Sequence, residues 1–175
     1  MRRFLSGILL FVATVLPAAA QNIPLLDKVP GHRVTFEYVY GYTSGGRVYD
    51  NVASGTMTVQ GNAYILKGEG LEVYSDGTLR WTLDRSAKEA ILESVDAADV
   101  VSNPALIVSG YKEFGKSLKV NGSGSDSLDI SLTLEDGTVS RFRLKKIRFA
   151  AEGPEADFKF SRSSLGGDWV ITDLR

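Results

Sequence analysis

The sequence predicts a mainly β fold with minor helix (α+β): a highly curved antiparallel sheet of about ten short strands, wrapped towards a barrel, with a short helical lid over its concave face. Three observations predict it. Apolar and polar residues alternate with a period of two along most of the chain. The alternating segments are short and divided by Gly, Asn and Asp turn signals. A single stretch breaks that rhythm and carries helical spacing instead.

The chain of 175 residues opens on a leader-like segment. Arg2 and Arg3 precede an apolar run from Phe4 to Leu16, and Pro17-Ala18-Ala19-Ala20 offers small residues at −3 and −1. Residues 1–20 are therefore expected to be a signal peptide cleaved after Ala20, and residues 21–175 one domain. The apolar run falls short of the roughly 20 residues a spanning helix needs. An exported protein that does not span the membrane is expected, with the periplasm as its compartment.

Val34, Phe36, Tyr38 and Tyr40 alternate with Arg33, Thr35, Glu37 and Val39, which marks the first strand and gives one face three aromatic rings. Thr43-Ser44-Gly45-Gly46-Arg47 is a turn. Strands follow at Gly55 to Gln60, Tyr64 to Lys67, Leu71 to Ser75 and Thr78 to Asp84, with Ser75-Asp76-Gly77 as a hairpin signal. An irregular turn is expected at Asp96 to Val100. Ser102-Asn103-Pro104 then supplies an N-cap and a first-turn proline, and Leu106, Ile107, Tyr111 and Phe114 fall at helical spacing. An amphipathic helix over residues 103–114 is expected. Strands resume at Ser117 to Asn121, Leu128 to Glu135, Val139 to Leu144 and Lys146 to Ala150. Phe158-Lys159-Phe160 and Trp169 to Thr172 supply two more.

Composition removes many functions. There is no Cys and one His, and Lys plus Arg nearly balance Asp plus Glu at a net charge of −1. Thiol chemistry, zinc fingers and His-based triads lack their parts. Neither a nucleic-acid surface nor a polybasic membrane patch follows from that balance. No catalytic residue, metal ligand or cofactor is expected. Asp76 with Asp84, and Asp126 with Asp129, lie at turns or strand ends, where Asp serves local hydrogen bonding. His32 has no second candidate ligand or triad partner and reads as a surface residue. Arg141, Arg143, Lys145, Lys146 and Arg148 alternate with Phe142, Leu144 and Ile147, the pattern of a solvated outer face.

The expected inward set is Phe36, Tyr38, Met57, Val73, Trp81 and Leu132, capped by Leu106, Ile107, Tyr111 and Phe114. Such a set can line a cavity for acyl chains or fill a close-packed core. Pattern does not choose between them.

Several segments, in order, resemble the outer-membrane lipoprotein carrier family (LolA-like proteins). They are Gly55-Thr56-Met57-Thr58-Val59 with Asn62-Ala63-Tyr64-Ile65-Leu66, the strand–turn–strand from Leu71 through Ser75-Asp76-Gly77 to Trp81 and Leu83, Asn103-Pro104-Ala105-Leu106-Ile107 running to Phe114, and Phe158-Lys159-Phe160 with the ending Val170-Ile171-Thr172-Asp173-Leu174-Arg175. The resemblance implies an incomplete antiparallel β-barrel with a helical lid. It also implies a monomeric, non-enzymatic periplasmic carrier that takes lipidated proteins from an inner-membrane ABC transporter, shields their acyl chains in the concavity, and passes them to an outer-membrane acceptor. Phe36, Tyr38, Met57, Val73, Trp81 and Leu132 would then line the acyl-chain cavity, and Leu106, Ile107, Tyr111 and Phe114 would form the lid. Two features depart from the family. Only Gln21 to Pro30 stands where members have an amphipathic first helix. Gln60-Gly61 replaces the arginine–proline pair whose arginine holds the lid in the best-studied branch. A lipid-sensing or interaction module on the same scaffold is the alternative.

Overall fold

A computed structural model describes residues 22–96, 100 and 103–175. The expected leader, Ser102 as N-cap, and the middle of the Asp96 to Val100 turn lie outside the described residues. Ten strands form one sheet: β1 (His32–Ser44), β2 (Arg47–Gln60), β3 (Ala63–Gly68), β4 (Leu71–Ser75), β5 (Leu79–Asp84), β6 (Glu89–Ser94), β7 (Leu118–Ser123), β8 (Leu128–Thr133), β9 (Val139–Ala151) and β10 (Val170–Asp173). Their order across the sheet is β10-β6-β5-β4-β3-β2-β1-β9-β8-β7, so β10 and β7 are edges and the barrel is not closed. Every neighbouring pair is antiparallel except β10 on β6, which is parallel. No helix among the described residues is long and apolar enough to cross a membrane.

Register decides which side chains share a face. Phe36 of β1 pairs with Met57 of β2, which pairs with Leu66 of β3, which pairs with Val73 of β4. On the other side of β1, Tyr38 pairs with Leu144 of β9, and Leu132 of β8 pairs with Ser140 of β9. Their apolar members share the concave face and form, with Ile23, Leu26, Val29, Ile107, Val108 and Tyr111, one apolar cluster.

Beyond β4 the buried face changes side. Val73 pairs with Thr82, while Tyr74 pairs with Trp81. Trp81 therefore belongs to the convex face, where it joins Leu83, Ala90 and Leu92 in a second cluster covered by Phe160, Leu165 and Trp169 from the C-terminal segment. One sheet thus carries two cores on opposite faces. The expectation that Trp81 points into the concavity is corrected: in a strand successive side chains alternate, and the β4–β5 register puts Val73 and Trp81 out of phase.

Several elements differ from their expected form. The strand at Glu89–Ser94 is an addition to the expected set, since Lys88 and Glu89 mask its alternation; Lys88 takes φ +55 in the turn before it. The segments Val139 to Leu144 and Lys146 to Ala150 are one strand bent by a bulge, where Lys146 has φ +53 and β9 spends an extra residue against β1. The bulge restores Ile147 to the concave side. Phe158-Lys159-Phe160 is not a strand: Glu155–Phe158 is a 3-10 helix that buries Phe158. The helix expected over 103–114 is a single α-turn, α1 (Leu106–Ser109), followed by 3-10 structure over Tyr111–Ser117 that is broken at Gly115, φ +49. Gly110 ends α1, and Gly115 then takes a backbone conformation that other residues avoid.

Candidate functional site

The concave face encloses a cavity of about 520 Å³. Its inner wall is Phe36, Met57, Leu132 and Leu144, all buried, roofed by Ile107 and Val108 of α1. Tyr40 and Phe142 also line it, their ring centroids 5.0 Å apart and their planes tilted by 36°. At the rim stand Val52 and Leu71, large apolar residues 47% and 45% exposed, together with Glu69 in the β3–β4 turn. Polar groups are few. Tyr40 Oη and Ser140 Oγ lie 3.4 Å apart, and Ser54 Oγ donates to Glu69 Oε1 at 3.1 Å. An apolar concavity with a few polar groups is the form that small amphiphile sites take.

Two glycines open this space. A Cβ at Gly55 would strike the carbonyl oxygen of Lys67, and one at Gly68 would strike that of Ser54. Their backbones close together where Tyr38 lies over them, and its hydroxyl is 3.2 Å from where a Gly68 Cβ would be. Burial, and then the nearby Glu69 charge, push the Tyr38 phenol above its usual range.

The roof is tied to the chain's N-terminal segment. Tyr111 Oη donates to Asp27 Oδ1 at 2.7 Å, Lys112 Nζ sits 2.7 Å from the same oxygen, and Ile23 N–H donates to Tyr111 Oη at 3.4 Å. The Lys112 hydrogen bond, then that of Tyr111, holds the Asp27 carboxyl below the usual carboxylate range. Burial, and then its bond to Asp27, push the Tyr111 phenol up. Asn103, at the foot of α1, accepts Leu106 N–H through its backbone carbonyl at 3.1 Å. Its side-chain amide is wholly buried, with neither nitrogen nor oxygen hydrogen-bonded among the described residues.

Of the expected cavity set, Phe36, Tyr38, Met57 and Leu132 line the cavity. Val73 is on the same face and packs on that core without lining it. Trp81 is on the other face. In the expected lid, Ile107 lines the cavity, Leu106 is buried away from it, and Tyr111 and Phe114 brace the roof against the core. Sequence reasoning missed Leu66, Tyr40, Val108, Phe142 and Leu144. Phe142 and Leu144 were legible as the apolar phase of the basic run, and Tyr40 as the next member of the first strand's aromatic series.

The remaining candidates have local roles. Asp76 Oδ1 accepts from Thr78 and Leu79 N–H at 3.0 and 2.9 Å, and Asp84 Oδ1 accepts from Ser86 and Ala87 N–H, both at 2.9 Å. Asp129 pairs with Arg141 through two hydrogen bonds of 3.1 and 2.9 Å. Arg143 donates to Asn51 and Lys146 to Glu37, both at 2.6 Å on the outer face. His32 is exposed, edge-on to Phe149 at 5.9 Å. Among the described residues no group of acidic, His or Cys side chains is placed to hold a metal.

No family model matches the sequence, and no curated protein matches it. Among solved structures, the chain is similar to an uncharacterised conserved protein from Thermus thermophilus, with a TM-score of 0.45 and 9% identity over 85% of this chain and 96% of that one. It is also similar to the LolA superfamily protein NE2245 from Nitrosomonas europaea, with a TM-score of 0.43 and 12% identity over 78% and 96%.

Proposed function

We propose that the protein is a non-enzymatic carrier that shelters acyl chains of lipidated cargo in its concavity. The single observation that carries this reading is the apolar cavity of about 520 Å³ roofed by Ile107 and Val108 and rimmed by exposed Val52 and Leu71. Burial of each methylene is worth about 0.8 kcal/mol, so a long chain binds there without covalent chemistry. The carboxylates that could serve acid–base catalysis are engaged in turns or ion pairs, which favours a carrier over an enzyme. The leader-like residues 1–20 support export, and with it a periplasmic route from an inner-membrane ABC transporter to an outer-membrane acceptor, with lipoproteins as cargo.

Displacement of a fluorescent fatty-acyl probe tests the reading. Ile107→Asp puts an unpaired charge on the cavity roof, a cost of several kcal/mol that bound chains do not offset, and should abolish probe binding while His32→Gln retains it. Circular dichroism checks that both variants fold. Binding that survives charges at Ile107 and at Met57 alike would overturn the proposal.

A further inference from the structure

Given the carrier reading, the size of the cavity and the chemistry of its mouth narrow what enters it. Sites that take one drug-sized molecule have volumes of roughly 300–1,000 Å³, and the cavity, at about 520 Å³, falls within that range. It suits one long acyl chain that reaches out to the rim at Val52 and Leu71.

The mouth adds a sign. Glu69 is the one charged side chain among the described residues that line the cavity, and it is exposed at the rim beside the apolar Val52 and Leu71. The β3–β4 turn holds it there with φ +43, and Ser54 Oγ donates to its carboxylate at 3.1 Å. The basic residues of β9 face away, with Arg141 and Lys146 engaged by Asp129 and Glu37 on the outer surface. A head group leaving the cavity thus meets an acceptor carrying negative charge. An anionic head is repelled there, and an N–H donor is bound.

We propose that the cavity holds a single-chain amphiphile, one long hydrocarbon chain inside and a hydrogen-bond-donating head, best an ammonium, against Glu69. The chain supplies the affinity and the head the selectivity. Because Glu69 is exposed, the selectivity is modest and falls with salt.

The test titrates the folded protein with tetradecylamine and with myristate, each below its micelle concentration, by displacement of a fluorescent acyl probe, and counts bound chains by native mass spectrometry. One chain per protein is expected. The amine should bind tighter than the carboxylate by on the order of five-fold at low ionic strength, and half-molar salt or Glu69→Gln should level the two. Equal affinity for both heads in the wild type, a preference unmoved by Glu69→Gln, or two or more chains per cavity would overturn the inference and leave the carrier reading standing. Failure of both probes to bind would overturn the carrier reading, and this inference with it.

Discussion

Asn103 and Asp27 show how single side chains set the poise of the roof. Burying an amide with no partner costs about 1–3 kcal/mol, and removing both polar atoms while keeping the shape relieves it. Asn103→Leu is therefore expected to raise unfolding stability by about 1 kcal/mol, read as a higher midpoint in urea melts. It should also slow uptake of an acyl probe, because the roof then sits in a better-satisfied closed position. Asp27 works in the opposite sense, as a tie. Its folded-state pKa lies below the unfolded value, so its contribution is present above about pH 4 and is lost as pH falls through the folded value. Acidification through that window should loosen the roof, seen as faster probe exchange. Asp27→Asn should give the faster exchange already at neutral pH and remove the Asp27 part of the acid dependence.

At the scale of elements, β4 and β5 divide the labour between the two faces. Tyr74 and Trp81, paired across these strands, pack against Phe160 with centroids 5.2 and 5.6 Å away on the convex side. Trp81→Ala is expected to cost about 3–5 kcal/mol, the range for deleting a large buried aromatic, measured by denaturant unfolding. Acyl-probe binding by the folded fraction should be unchanged, because Trp81 does not touch the cavity. Loss of binding in a fully folded Trp81→Ala protein would mean that the two faces are coupled through the sheet. The β1–β2 hairpin carries the opposite duty. Its 13- and 14-residue strands bring Phe36, Tyr38 and Met57 to the cavity, and its Gly55 lets β3 approach closely enough to curve the sheet around it.

Over the whole molecule, the long central strands carry the structure and the edges are lightly held. β1 is hydrogen-bonded on both sides, to β2 and to β9, and contributes Val34 and Phe36 to the core. β10 is a four-residue parallel edge strand resting on β6, preceded by an exposed ion pair between Lys88 and Asp168. Hydrogen exchange should follow that gradient, since local opening tracks buried contact and solvent access. Amides of β1 around Val34 to Tyr38 should exchange slowest. Those of β10 and of β7, the two edges, should exchange first. Protection of β10 equal to that of β1 would show that the second core folds as one unit with the first.

Local pattern by itself determined the β-rich class, most of the strands between His32 and Asp84 and between Leu118 and Ala151, and the turns at Gly45-Gly46 and Asp76-Gly77, because alternation and turn chemistry are encoded within a few residues; β2, expected only from Gly55, begins at Arg47 because its first half is held by pairing with β1. It also marked Phe36, Tyr38, Met57, Leu132 and Ile107, each the apolar phase of its own segment. Tertiary structure alone decided which phase of β5 faces the cavity. Trp81 and Val73 look alike in sequence, yet the β4–β5 register separates them onto opposite faces. The same holds for the roof. Helical spacing from Leu106 to Phe114 matched a longer helix, but the α-helix ends at Gly110 after one turn, and the Tyr111–Asp27 contact that secures it joins residues 84 positions apart. Whether the concave face would be filled or hollow was likewise beyond local pattern. It depends on the Gly55–Gly68 approach and on how the roof is propped, and both are relations between strands that are met only when the sheet closes around them.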